Sequence, residues 1–92
     1  MRKIFKYPIR INFHGDLQSL TLPKGSTILS AQAQNPNPVI WALVNPEETQ
    51  EEHRVIRTFG TGQTIDSLES SVYISTIQLP MGLVMHVFEV TI

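Results

Sequence analysis

Residues 28–44, Ile-Leu-Ser-Ala-Gln-Ala-Gln-Asn-Pro-Asn-Pro-Val-Ile-Trp-Ala-Leu-Val, read as two strands joined by a Pro/Asn turn. In the first arm Leu29, Ala31 and Ala33 share one face and Ile28, Ser30, Gln32 and Gln34 share the other, the two-residue period of a half-buried strand. In the second arm Val39, Trp41 and Leu43 alternate with Ile40, Ala42 and Val44. Both faces are apolar, which predicts a strand in the middle of the fold with Trp41 in the core.

The rest of the chain must cover that hairpin. Ninety-two residues suffice for one core with little surplus stability, so 1–92 are read as a single β-domain. With 41% hydrophobic and 16% charged residues the chain is too apolar to be disordered. No apolar run reaches the roughly 18 residues of a spanning helix, and the basic start Met1-Arg2-Lys3-Ile4-Phe5-Lys6 lacks the apolar stretch of a secretory signal. A cytosolic protein is expected. The absence of cysteine fits a reducing compartment and excludes disulfides, a thiol nucleophile and thiolate metal ligation.

Net charge is −1, which argues against general nucleic-acid binding. The charges are sorted along the chain, however. Residues 1–46 carry Arg2, Lys3, Lys6, Arg10 and Lys24 against Asp16, whereas residues 47–92 carry Arg54 and Arg57 against seven carboxylates. Besides an ordinary solvated surface, this permits a basic patch for phosphates or head-to-tail complementarity between subunits of a homo-oligomer.

In chain order, Ile4–Phe13 alternates Tyr7, Ile9, Ile11 and Phe13 with Lys6, Arg10 and Asn12, a first strand whose Pro8 suits an edge. His14-Gly15-Asp16 supplies turn chemistry, predicting a hairpin into a strand over Leu17–Leu22 with Leu20 and Leu22 inward. Pro23-Lys24-Gly25-Ser26 ends it. After the central hairpin, Asn45–Glu52 reads as an exposed acidic loop. His53–Phe59 resumes strand character, with Arg57 between Val55 and Phe59 on one face. Val72–Leu79 and Leu83–Ile92 form a last hairpin about Pro80-Met81-Gly82. About seven short strands without a helix point to an all-β fold, a single small antiparallel sandwich or open barrel.

Candidate chemistry is sparse. Gly60-Thr61-Gly62 after a strand permits a bend whose amides form an anion nest, although neither a P-loop Lys-Ser/Thr nor a following helix pattern is present. Arg57, placed toward a core, either grips a phosphate or carboxylate, snorkels to an edge, or pairs with Glu89. His14, His53 and His86 are scattered and show no metal-binding spacing, and His86 reads as an interior histidine. No Gly-x-Ser-x-Gly elbow occurs. Neither catalysis nor a cofactor is expected. Trp41 has a second reading, an aromatic platform for a base with Gln32 and Gln34 alongside.

Several stretches resemble a known family: Lys6-Tyr7-Pro8, Leu22-Pro23-Lys24-Gly25 with Ile28-Leu29-Ser30, Gln32-x-Gln34, Trp41-Ala42-Leu43-Val44-x-Pro46, Gly60-Thr61-Gly62-x-x-Ile65 and Leu83-Val84-x-His86-Val87-Phe88-Glu89. They resemble small phage- and prophage-encoded proteins that carry a domain of unknown function. The resemblance implies a product acting in the host cytoplasm, of a kind that includes counter-defence factors. It suggests a non-enzymatic binder that sequesters a nucleotide-type immune signal or occludes a host protein. Arg57, Lys24, Gly60, Thr61, Gly62, Gln32, Gln34 and Trp41 would then hold phosphates and a base. The alternatives are a virion or morphogenesis accessory protein and, last, a small hydrolase.

Overall fold

The computed structural model describes residues 1–68 and 70–91. Its strands are β1 (Lys3–Pro8), β2 (His14–Pro23), β3 (Thr27–Gln34), β4 (Asn37–Val44), β5 (Glu51–Gly60), β6 (Ser71–Gln78) and β7 (Val84–Val90), with a single 3-10 turn at Pro80–Gly82 among the described residues. They form two antiparallel sheets, β1-β4-β3 and β2-β5-β7-β6, which make a small sandwich. The Cα trace measures only 15 Å through its shortest axis, the thickness of two sheets about 10 Å apart. There is no room for a third layer, so each sheet keeps an outer face.

The core lies between the inner faces. Ala31 and Ile40 of the first sheet meet Leu20, Leu22, Ile56, Ile77, Met85 and Val87 of the second. As the apolar alternation predicts, β4 is the central strand of its sheet, with Ile40, Ala42 and Val44 fully buried. Trp41 is not part of that core. It lies half-buried on the outside, because the residues on either side of it point inward.

Two bulges re-phase the edge strands. In β3 the register to β4 shifts between Ile28 and Ser30, so Ile28 packs on the core beside Ala31 while Leu29 is 47% exposed. The pattern that grouped Leu29 with Ala31 is corrected by this one extra residue, since a bulge flips every side chain beyond it. In β6 a shift between Tyr73 and Ser75 similarly puts Tyr73 and Thr76 on the outside opposite Phe88 and His86.

The predicted strand over Ile4–Phe13 ends early. β1 stops at Pro8, and residues 9–13 carry the chain from one sheet to the other, so β1 and β2 are not a hairpin. Pro8 cannot donate to a ladder, and the passage is held instead by Ile9 N–H donating to the Pro38 carbonyl at 3.1 Å. Side chains supply its remaining rungs. The Gln18 amide bonds both backbone groups of Arg10, and Thr58 Oγ1 donates to the Asn12 carbonyl at 2.6 Å. His14-Gly15-Asp16 lies inside β2 at a bulge against β5, with Gly15 at φ +85°.

One end of the sandwich is held by Arg54. Its Nε and Nη2 donate to the Glu89 carboxylate at 2.5 and 2.9 Å, and Nη1 donates to the Ser26 carbonyl at 2.8 Å. The hydrogen bonds to Glu89 hold the Arg54 guanidinium above its ordinary range, outweighing the opposing effect of burial. The suggested pairing of Arg57 with Glu89 is therefore replaced by Arg54 with Glu89. Both lie on the inner side of their strands, where a charge needs a partner.

Candidate functional site

The outer face of β1-β4-β3 gathers polar and aromatic groups that the sequence scatters over four tens of residues. Register places Lys6 of β1 and Ser30 of β3 on either side of Trp41 of β4. One rung pair along, Pro8 and Gln32 flank Val39 in the same way. Opposed residues in antiparallel strands project to the same side. Lys6 Nζ donates to Gln34 Oε1 at 2.5 Å, a bond that reaches from β1 to β3 across the central strand. Val39, beneath that strap, is only 3% exposed although it faces outward.

A groove of about 470 Å³ lies next to it, at and past the end of β1. Val39, Pro8, Pro38 and Ile11 give it an apolar floor, and Lys6, Arg10, Gln34 and Asn37 give it polar groups. No carboxylate among the described residues lines it. Among the described residues the Arg10 guanidinium has neither an ion pair nor a side-chain hydrogen bond, its backbone alone being tied to Gln18. An aromatic side chain, amide side chains and Lys6 thus share one face, and Arg10 joins Lys6 in the adjoining groove; these are groups that hold a planar ring and an anion.

The other residues singled out in the sequence lie elsewhere. Arg57 is on the outer face of the second sheet, on the far side of the core from Trp41. Its guanidinium lies over the Phe59 ring, 5.0 Å from the centroid, and Nε donates to the Gly15 carbonyl at 3.3 Å. Phe59 and Tyr73 each meet Phe88 edge-on, with centroids 6.0 and 5.7 Å apart. Arg57 thus faces outward over an aromatic cluster and has local partners. Lys24 sits in the β2–β3 turn, where Nζ donates to Gln50 Oε1 at 3.3 Å.

Gly60, Thr61 and Gly62 border a second groove of about 530 Å³, with Phe13 and Leu83 among its walls. No cationic side chain among the described residues lines it. Beside it runs a chain of polar contacts: Thr61 Oγ1 to His86 Nε2 at 2.8 Å, His86 Nδ1 to Thr76 Oγ1 at 3.0 Å, and Thr76 Oγ1 to the Tyr73 hydroxyl at 2.7 Å. A hydroxyl on imidazole is the beginning of a nucleophile–base pair. Here the second imidazole nitrogen meets another hydroxyl rather than a carboxylate, and the chain ties the bend after β5 to β7 and β6. His86 is accordingly a half-buried outer-face residue and not an interior one. No three His, Asp or Glu residues cluster as metal ligands among the described residues.

The family model described as Domain of unknown function (DUF7352) matches residues 1–92. The chain belongs to this family. No curated protein and no solved structure matches it. Within this DUF7352 chain, Gln32, Gln34 and Trp41 are brought to one face, whereas Arg57, Gly60, Thr61, Gly62 and Lys24 do not join them. Lys6, Arg10, Ser30 and Asn37 were not among the residues singled out. For Lys6 and Arg10 a signal was present in the cationic surplus of residues 1–46 and in their alternation, but it could be assigned to a site only once β1 was known to pair with β4. No helix among the described residues is long and apolar enough to cross a membrane.

Proposed function

We propose that this protein is a non-enzymatic binding protein that holds an anionic, nucleotide-type ligand on the outer face of the β1-β4-β3 sheet. The observation that carries the reading is the position of Trp41, half-buried outside the core and directly opposite Lys6 in the register. A base stacked on an aromatic side chain gains about 1–3 kcal/mol, and amide side chains beside it bond the polar edge of the base. The Ser30 hydroxyl is directly opposite Trp41, and the Gln32 amide is one rung along, opposite Val39. The resemblance to phage-encoded proteins supports a counter-defence role, in which sequestration of a nucleotide immune signal in the host cytoplasm requires affinity and no turnover. Subunits associating as a homo-oligomer would enclose a ligand that one shallow face leaves open.

Native mass spectrometry of the purified protein with cyclic di- and trinucleotides, ADP-ribose isomers and 5′-mononucleotides tests this. A ligand adduct at micromolar concentration, abolished by Trp41→Ala, is the expected result. Absence of any adduct, together with a host protein retained by the same face, would replace the sequestered signal with an occluded protein partner. Multiple turnover of any panel member would overturn the binding reading.

A further inference from the structure

We infer that the groove beyond Trp41 is a subsite for a terminal phosphate group, held chiefly by Arg10 with Lys6 at its inner edge; this rests on the proposed ring-binding face and names the part of the ligand that lies next to it. Four observations converge on it. The groove adjoins the Trp41 face, since Lys6, opposite Trp41, and Val39, two residues along β4, both line it. Trp41 and Val39 are two residues apart on an extended strand, about 7 Å, a span comparable to that between the ring and the 5′ phosphate of a nucleotide. Among the described residues the lining holds two cations and no carboxylate. Arg10 is without a side-chain partner among the described residues, and Lys6 commits one of its three donors, to Gln34.

Charge decides which phosphate fits. A phosphodiester carries one negative charge, whereas a phosphate monoester above its second pKa of about 6 carries nearly two. Two cations with several free donors match the monoester, and Arg10 offers the planar fork that takes two phosphate oxygens at once. Asn37, at the start of β4, adds a neutral amide to the same groove.

Trp41 is the chain's only tryptophan, so its fluorescence reports this face directly. Titration with the 5′-monophosphates of adenosine, guanosine, cytidine and uridine, each paired with its nucleoside, is the experiment. At least one monophosphate is expected to bind about 10- to 100-fold more tightly than its nucleoside, the range of one charge-assisted hydrogen-bonded group. Arg10→Ala should remove that preference by bringing the monophosphate's affinity down to about the nucleoside's, and Arg10→Lys should restore part of it. Binding of the monophosphate should also weaken as pH falls below about 6, where the phosphate loses its second charge. Equal affinity for nucleotide and nucleoside, or an Arg10→Ala variant that keeps the preference, would overturn the phosphate subsite and leave the ring-binding face standing. A Trp41 signal unmoved by every nucleotide and nucleoside would overturn both.

Discussion

The Ser75 hydroxyl serves both backbone groups of Ala31: it accepts the Ala31 N–H at 2.9 Å and donates to the Ala31 carbonyl at 2.6 Å. These are groups that the alternating antiparallel pattern turns away from β4. β3 and β6 are the adjacent edges of the two sheets, and each is bulged within two residues of this contact. One side chain therefore substitutes for a rung of a ladder. Ala31 is fully buried, so Ser75→Ala leaves a donor and an acceptor unpaired at about 1–3 kcal/mol each. A loss of about 2–4 kcal/mol in urea unfolding is expected, and a loss below about 0.5 kcal/mol would show that water reaches the seam.

Gln18 plays the same part for Arg10 on the opposite side of the sandwich. The Arg10 N–H donates to Oε1 at 2.7 Å, and Nε2 donates to the Arg10 carbonyl at 2.8 Å. At 5% exposure the amide is buried, so a carboxylate there would keep the acceptor, lose the donor and face a carbonyl oxygen. In Gln18→Glu the introduced carboxyl is expected to titrate above its ordinary value of about 4.3. The variant's deficit against the parent should then be smallest near pH 4 and grow as pH rises through that raised value. Paired chemical-denaturation curves at pH 4 and pH 7 measure it, and a pH-independent deficit would contradict the geometry.

Gly15 and Gly25 share a left-handed backbone, φ +85° and +84°, but differ in surroundings. A Cβ at Gly15 would meet Phe59 Cε1 at 2.5 Å, whereas one at Gly25 meets nothing within 4 Å. Gly25→Ala thus isolates the conformational cost, about 1 kcal/mol. Gly15→Ala should add a steric cost of about 1–3 kcal/mol, because Phe59 is 2% exposed and packed against Phe88 and Arg57. Equal thermal shifts in the two variants would mean that the Phe59 ring moves aside freely.

Trp41→Ala and Ile40→Ala separate the two faces of β4. Ile40 is fully buried in the core cluster, so its truncation should cost about 2–5 kcal/mol. Trp41 is half-buried on the outside and should cost about 1–2 kcal/mol despite its larger size. A Trp41 deficit equal to or above that of Ile40 would return the indole to a structural role.

The architecture was largely legible in the chain. Period-2 alternation, Pro/Gly turns and the doubly apolar stretch Val39–Val44 led to seven strands with β4 at the centre, because a strand's neighbours in sequence set which face each residue takes. The bulges at Leu29 and Ile74 were not legible. An extra residue leaves no compositional mark, yet it reverses the facing of all that follows. The supposed β1–β2 hairpin failed for a related reason: Ile9, Ile11 and Phe13 continue the alternation while the chain is changing sheets, and the replacement rungs come from Gln18 and Thr58, far outside any local window.

By itself the sequence determined that this chain makes strands and where most of them turn, since backbone sterics and apolar periodicity act over a few residues. Only the tertiary structure decided which apolar faces are covered. It put Ile40 inside and Trp41 outside, set Lys6 against Trp41, brought Arg10 to the same groove, and sent Arg57 to the far side of the core. Pairing between distant strands is fixed by the collective packing of two sheets, and no local pattern carries that information.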